Sequence, residues 1–324
     1  MIWRTLLFIP ALFSIAWGAL ALFYQLQLSG WARWAIIVIW CVINGFLLWE
    51  WWRKGAGWQL LCVVLLLLML GAWWSTIKAS NHRDWAEDVN RLTTAEVNGT
   101  HVILHNVRNF DWINRDKANA RWETRQYDID QIQSVDVFLS YWMGPAIAHT
   151  LVSFGFSNGE QVVWSVEIRR EKHESFSSVG GFFKKFEMSV VAADENDIVR
   201  LRTNARGEDV YRYKVNMDLP AARSLFLAYA DTANEVAAEP RFYHTVIANC
   251  TTIIYELVTR IIPGLPKDYR LLLSGYLPEY LYGIKALDNS ESLAQLRQQA
   301  AITERAKKIP ENVDFSQYIR QAPN

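Results

Sequence analysis

The chain has 324 residues, 51% of them hydrophobic, and its 33 basic and 33 acidic side chains cancel to a formal net charge of zero. That balance argues against a nucleic-acid partner, which would call for a basic face. The averages also hide a division: most of the 16 Trp precede residue 75 and most charged residues follow it, so a membrane part and a water-soluble part share one composition.

Three apolar runs, 5–26, 34–49 and 58–74, each approach the roughly twenty residues that a spanning helix needs. A cleaved signal peptide explains only the first, and no small-residue cleavage site precedes a polar start. Residues 1–76 are therefore predicted to be a three-helix transmembrane anchor. Trp31, Trp34, Trp49, Trp51, Trp52, Trp58, Trp73 and Trp74 mark the ends of the runs, where amphipathic rings favour the headgroup layer. Arg4 and Arg53-Lys54 assign those ends to the cytoplasm, against Arg33 alone in the first outer loop, so the chain beyond residue 76 is expected outside. Pro10, Gly18, Asn44 and Gly45 read as packing features, and no acidic residue lies within a run, which disfavours transport.

The soluble part reads as α+β. A stalk and first strand (77–105) come first, with Trp85, Val89 and Leu92 at helical spacing over 81–96 and a strand at 102–104. In the main domain, 106–287, a polar loop at 111–119 and a strand at 121–127 lead to a largely buried strand at 132–139. A hairpin follows, with its turn at Ser157-Asn158-Gly159. A three-residue loop with Gly159 left-handed pairs Phe156 with Glu160 and, counting back, sets His149 opposite Glu167; a two-residue loop would place Ile168 there instead. Residues 175–186 form a Gly-hinged aromatic and basic loop, suited to dipping into lipid, covering a site, or packing its aromatics in a core. Strands are expected at 188–192, 198–201 and 210–215, then a helix over 220–237 capped by Asp218. After the cysteine helix comes an apolar segment at 270–287. A C-terminal amphipathic helix (290–307) and a loosely held polar tail complete 288–324.

The chemistry centres on Asn249-Cys250-Thr251-Thr252, where a polar turn becomes an apolar helix. A thiol in a first helical turn faces unpaired N–H groups and the positive end of the helix dipole, which favour thiolate. The plain alternative is a buried helix-start cysteine with Asn249 as its cap. Cys41 and Cys62 lie in the membrane runs, so no disulfide can form within the soluble part. A base and an orienting group are also needed. His149, with Glu167 across the hairpin, suits that need better than His244, which is near Cys250 only in sequence. His101 and His105 share a strand face about 13 Å apart and cannot chelate one ion. No metal-ligand spacing and no glycine-rich phosphate loop is present, so neither metal nor cofactor is implied.

The series Ala148-His149-Thr150, Ser165-Val166-Glu167-Ile168-Arg169-Arg170-Glu171, Arg200-Leu201-Arg202-Thr203-Asn204, Glu208-Asp209-Val210-Tyr211 and Asn249-Cys250-Thr251-Thr252 resembles the Lnb N-terminal periplasmic domain family, over roughly 106–287. The resemblance implies a permuted papain-like domain, with an antiparallel sheet whose histidine strands precede the cysteine helix. It implies Cys250 as nucleophile, His149 as general base and Glu167 as orienting acid. It also implies a bacterial inner-membrane protein, multi-pass, with its C-terminal domain in the periplasm. The family's named member is a lipoprotein N-acyltransferase, so the expected activity is thiol acyl transfer or hydrolysis on lipid or lipoprotein acyl and amide groups through a Cys thioester. Membrane lipids and lipoproteins are the expected partners. Arg169, Arg170, Arg200, Arg202 and Arg206 form a basic series suited to a phospholipid headgroup or to ion pairing with neighbouring acids. Arg169 and Arg202, with Asn249, are the expected substrate-binding residues. Two other functions fit the same chain: a cell-wall amidase or peptidase, and a non-catalytic envelope-binding module.

Overall fold

Apolar runs flanked by tryptophans have nowhere to satisfy backbone N–H and C=O groups in lipid except within a helix. The computed structural model, which describes residues 2–55 and 57–321, has helices α1 (Ile2–Gln25), α2 (Gly30–Lys54) and α3 (Gly57–Thr76) there. All three are long and apolar enough to cross a bilayer. The chain divides into two compact units, 1–80 with 176–186, and 81–175 with 187–324.

The first unit is the three-helix bundle. Ile15, Leu48, Trp51 and Val63 form one small core, and Leu22, Ile37 and Leu70 a second. A β-carbon on Gly18 would stand 2.7 Å from both Leu70 and Trp40, so the close approach requires glycine. The aromatic loop belongs to this unit. Phe183 stacks on Tyr24 at 5.4 Å and its carbonyl accepts from Gln25 Nε2 at 2.6 Å. Lys184 Nζ donates to the carbonyls of Trp74 and Ile77 at 3.0 and 3.2 Å. Phe183 and Phe186 are buried, whereas Phe176 and Phe182 stay exposed.

The second unit is built on strands β1 (Thr94–Asn98), β2 (His101–Arg108), β3 (Asp111–Trp112), β4 (Ala118–Asn119), β5 (Trp122–Asp128), β6 (Ile132–Tyr141), β7 (Ala148–Phe156), β8 (Gln161–Arg169), β9 (Glu187–Ala193) and β10 (Asp209–Val215). Among the described residues, one sheet runs β1-β2-β9-β8-β7-β6-β10, with β5 also on β2. Its pairs are antiparallel except for a single parallel bridge between β2 and β9. Helices cover both faces. Helix α4 (Glu195–Arg200) packs with Phe138, Leu151, Val163 and Val191. Helices α5 (Leu219–Ala238) and α6 (Cys250–Ile261) pack with Val152, Phe154, Trp164 and Val166 on the other face. Double coverage explains why β6 is buried on both faces from Val135 to Tyr141.

Four expectations are corrected. Residues 81–96 form no α-helix: one 3₁₀ turn (Glu87–Val89) and β1 lie there, and Trp85 is fixed by donating to Asn81 O and by the Arg169 guanidinium over its ring at 4.5 Å. Residues 198–201 are helical because Asp194 caps α4, accepting from Asn196 N at 2.9 Å. The expected loop at 111–119 contains the small β3–β4 hairpin. The C-terminal helix is broken into α8 (Leu293–Ala300) and α9 (Thr303–Lys307), after α7 (Leu277–Gly283), because Ile302 N turns aside to donate to Val210 O on the sheet edge.

The tail is held as well. Its α10 (Phe315–Arg320) buries Phe315 and Ile319, and Arg320 binds Glu195 at 2.6 and 2.7 Å and Asp136 at 2.8 Å. Burial pushes Glu195 up, but the Arg320 contacts outweigh it and hold the carboxyl below its ordinary range. Arg320→Ala strands the buried Glu195, while Asp136 keeps Arg212 at 2.7 Å, and is expected to cost about 3–5 kcal/mol. Thermal unfolding in detergent should show a clearly lowered midpoint; an unchanged one would make the tail dispensable.

Candidate active site

Asn249 is the N-cap of α6. Its Oδ1 accepts from Thr251 N and Thr252 N, both at 2.9 Å, and Thr252 Oγ1 accepts from Asn249 N at 2.9 Å. This reciprocal box fixes Cys250 as the first helical residue, where the dipole favours an anion. The thiol is 7% exposed, and Ile253 and Leu257 bury the face of the helix beneath it. Thr251 Oγ1 meets Thr150 Oγ1 of β7 at 3.1 Å, tying the helix start to the residue beside His149.

The hairpin has the register of the three-residue loop. Gly159 has φ +87°, Phe156 N donates to Glu160 O at 3.0 Å, and Leu151 pairs with Ser165. His149 therefore stands opposite Glu167, and its Nε2 lies 3.2 Å from Glu167 Oε1. A link that sequence reading missed lies between them. His149 Nε2 is 2.8 Å from Ser165 Oγ, which donates to Glu167 Oε1 at 2.8 Å. With the serine proton spent on the carboxylate, Nε2 carries a proton and donates to Ser165, leaving Nδ1 for the thiol. The signal was available, because residues two apart on a strand share a face.

Arg202 follows from a short π turn (Leu201–Ala205) after α4; it donates to Glu167 Oε1 at 2.8 Å and to Ile198 O at 2.8 Å. Burial pushes Glu167 up, but His149 and Arg202 outweigh it and hold its carboxyl well below the usual range. For His149, burial works against the charge, yet Glu167 and the hydrogen-bonded Cys250 thiol push it up to about 9. Burial likewise opposes the Cys250 thiolate, and the charge and hydrogen bond of His149 still bring the thiol below its ordinary value. The pair thus favours thiolate and imidazolium.

Tyr243 also enters the site unannounced by sequence. Burial and the nearby Cys250 and Glu167 charges push its phenol well above its ordinary value. A neutral phenol is a donor that a developing oxyanion can use. His244, the rival base, closes the turn before α6: its Nδ1 accepts from Val246 N and Ile247 N at 3.2 and 3.4 Å. The charge that lowers the Cys250 thiol is that of His149.

The three residues expected to bind substrate have other duties. Arg169 is buried, donating to Val89 O, Asn81 Oδ1 and Asn90 O, each at 2.9 Å, so all three guanidinium nitrogens are engaged within the protein. Arg202 is buried on Glu167 and positions that carboxylate. Asn249 is spent on the helix cap, its Nδ2 donating to Thr245 O at 2.7 Å.

Residues 118–275 match the model of the Lnb N-terminal periplasmic domain. Over that stretch, just under half of its length, the chain is similar to that domain. The match runs from β4 to the turn before α7 and contains Cys250, His149 and Glu167; the three apolar helices, β1, β2 and α7–α10 lie outside it. No curated protein and no solved structure is significantly similar to the chain. A periplasmic domain that follows three apolar helices makes this a membrane-anchored protein.

Thiol alkylation reads the charge coupling. In the wild type, labelling should gain its thiolate limb at a pH below the ~8.5 of a free cysteine, and the imidazolium should be lost near pH 9. His149→Ala removes the largest influence opposing burial, so the thiolate midpoint moves up; Glu167→Gln moves it up less. Identical profiles for all three proteins would show that the pair is not coupled.

Proposed function

We propose that the periplasmic domain is a cysteine-dependent acyltransferase or hydrolase of a bacterial inner-membrane protein, acting on acyl or amide groups of lipids or lipoproteins. The observation that carries this reading is the Cys250 thiol at a capped helix N-terminus, tied through the Thr251–Thr150 contact to the strand of a His149 that Ser165 and Glu167 orient. The order of the parts, histidine strand before cysteine helix, supports a permuted papain-like arrangement. Three crossings with the basic residues Arg4, Arg53 and Lys54 inside put the domain outside the membrane.

In the reaction, Cys250 Sγ attacks an ester or amide carbonyl and the negative charge gathers on oxygen, within reach of the Cys250 N–H and the Tyr243 phenol. The tetrahedral adduct collapses, and the leaving alkoxide or amine takes the proton of the His149 imidazolium. An acyl-thioester on Cys250 remains. An acceptor amine or water then attacks it, giving its proton to His149 and releasing Sγ as thiolate. With an amine acceptor the enzyme is a transferase, and with water a hydrolase.

Purified full-length protein incubated with phospholipids or a diacylated lipopeptide should gain the mass of one acyl chain on Cys250, labile to hydroxylamine. Cys250→Ala abolishes the adduct and His149→Ala slows its formation by about 10²–10⁴-fold. No adduct with any lipid donor, together with Cys250-dependent cleavage of a cell-wall peptide, would replace this reading with the amidase one.

A further inference from the structure

Next to the His149 strand, within the same unit, a cleft of about 600 Å3 opens between the turn after β6 and the turn before β10. Tyr141 and Tyr211 form its floor and Arg297 of α8 closes one side. It adjoins the cysteine site through Ser140, which pairs across the sheet with His149 and donates to Glu208 on the cleft wall.

The two guanidiniums in this cleft differ from the buried arginines around them. Arg108, Arg169 and Arg320 reach oxygens at 2.6–3.1 Å, and Arg202 does so with both terminal nitrogens. Arg206 comes no closer than 3.7 Å to its carboxylate, Glu208. Arg297 stands 3.6 Å from Glu279 and 3.4 Å from Tyr141 Oη. Their side chains are 36% and 38% exposed. Arg297 also lies over the Tyr141 and Tyr211 rings, at 5.9 and 5.7 Å, which sets the plane of its fork. These are cations with donors to offer, and planar forks suit phosphate oxygens.

The remaining lining limits the ligand. Glu208 and Asp209 add two negative charges, so the cleft is balanced and fits a zwitterion better than a dianion. Trp142 and Met143, both well exposed, give it an apolar lip on the turn that leads to His149. That turn is held from behind, since Gly275 N donates to Ala146 O at 3.0 Å and a β-carbon at Gly275 would collide with the Pro145 carbonyl.

We propose that this cleft is the headgroup subsite for a zwitterionic phospholipid, the phosphate ester on Arg206 and Arg297, the ammonium toward Glu208 and Asp209, and the acyl ester led past Trp142 and Met143 to Cys250. The inference rests on the acyl-transfer reading, for which it names the donor.

The test is binding of dihexanoyl-phosphatidylethanolamine to full-length Cys250→Ala protein held in amphipol, read by calorimetry. This variant cannot turn over, so binding is measured whether or not the cysteine is a nucleophile. Adding Arg206→Gln and Arg297→Gln is expected to weaken binding at least tenfold and to leave dihexanoylglycerol unaffected. Glycerophosphoethanolamine should compete, and dihexanoyl-phosphatidylglycerol should bind more weakly. Should the added substitutions prevent folding, competition by glycerophosphoethanolamine against Cys250→Ala decides alone. Unchanged affinity on loss of both arginines, no competition by the headgroup, equal or tighter binding of the glycerol lipid, or inorganic phosphate binding as tightly as the lipid would each overturn the proposal. Failure of the acyl-transfer reading is separate: wild type would then form no thioester although Cys250→Ala binds the lipid.

Discussion

A carboxylate taken out of water must be compensated where it lies, and Glu167 is the place where this domain meets that demand. Two cations share it: His149 from the neighbouring strand and Arg202 from the turn after α4. Their roles differ. Arg202 is permanently charged and itself buried, so it fixes Glu167 in place and in charge state. His149 is the partner whose proton can move, and the residual pull of Glu167 keeps it charged and oriented. Without the arginine, the carboxylate could rise toward neutrality and release the imidazole; without the carboxylate, a buried histidine would lose its proton and Cys250 its counter-charge. The thiol's reactivity is thus set two residues away from the sulfur.

The parts of this constellation that sequence made legible are those governed by local rules. A left-handed glycine in a three-residue turn sets the hairpin register, and the register alone places His149 against Glu167. A polar cap before an apolar helical stripe places Cys250 at a helix start. Ser165 was equally legible, lying two residues from Glu167 on one strand face. Tyr243 and Arg202 were not, because each reaches the site through a turn whose path depends on packing: the irregular lead into α6 for one, the π turn after α4 for the other. Arg169 shows the converse. Its position in a motif suggested a ligand, but its guanidinium holds the backbone of the segment before β1. A buried arginine with all three nitrogens engaged and a half-exposed one with donors to spare look alike in a sequence.

Secondary structure failed where apolar content outvoted a cap. Ile198, Val199 and Leu201 look like a strand, yet Asp194 starts a helix before them, and that helix carries two fully buried acids, Glu195 and Asp197. Each needs a cation, and each finds it far away in sequence. Arg108 of β2 binds Asp197 at 2.8 and 3.1 Å, and Arg320 of α10 binds Glu195. The polar tail reads as loose only because the anions that hold it lie more than a hundred residues earlier.

Those two arginines lie outside the matched segment 118–275, while the acids they neutralise lie within it. The consequence runs straight to the site. Helix α4 is pinned at both acids, its C-terminal end passes into the π turn, and the π turn delivers Arg202 to Glu167. Were either outer arginine absent, a buried charge would be left unpaired beside the helix that aims Arg202, and the cheapest relief would be movement of that helix toward solvent. A shift there would loosen Arg202 first, then Glu167, then the orientation of His149. The strand and terminal helix that flank the family segment are therefore the buttress of the cysteine site, although they contribute no atom to it.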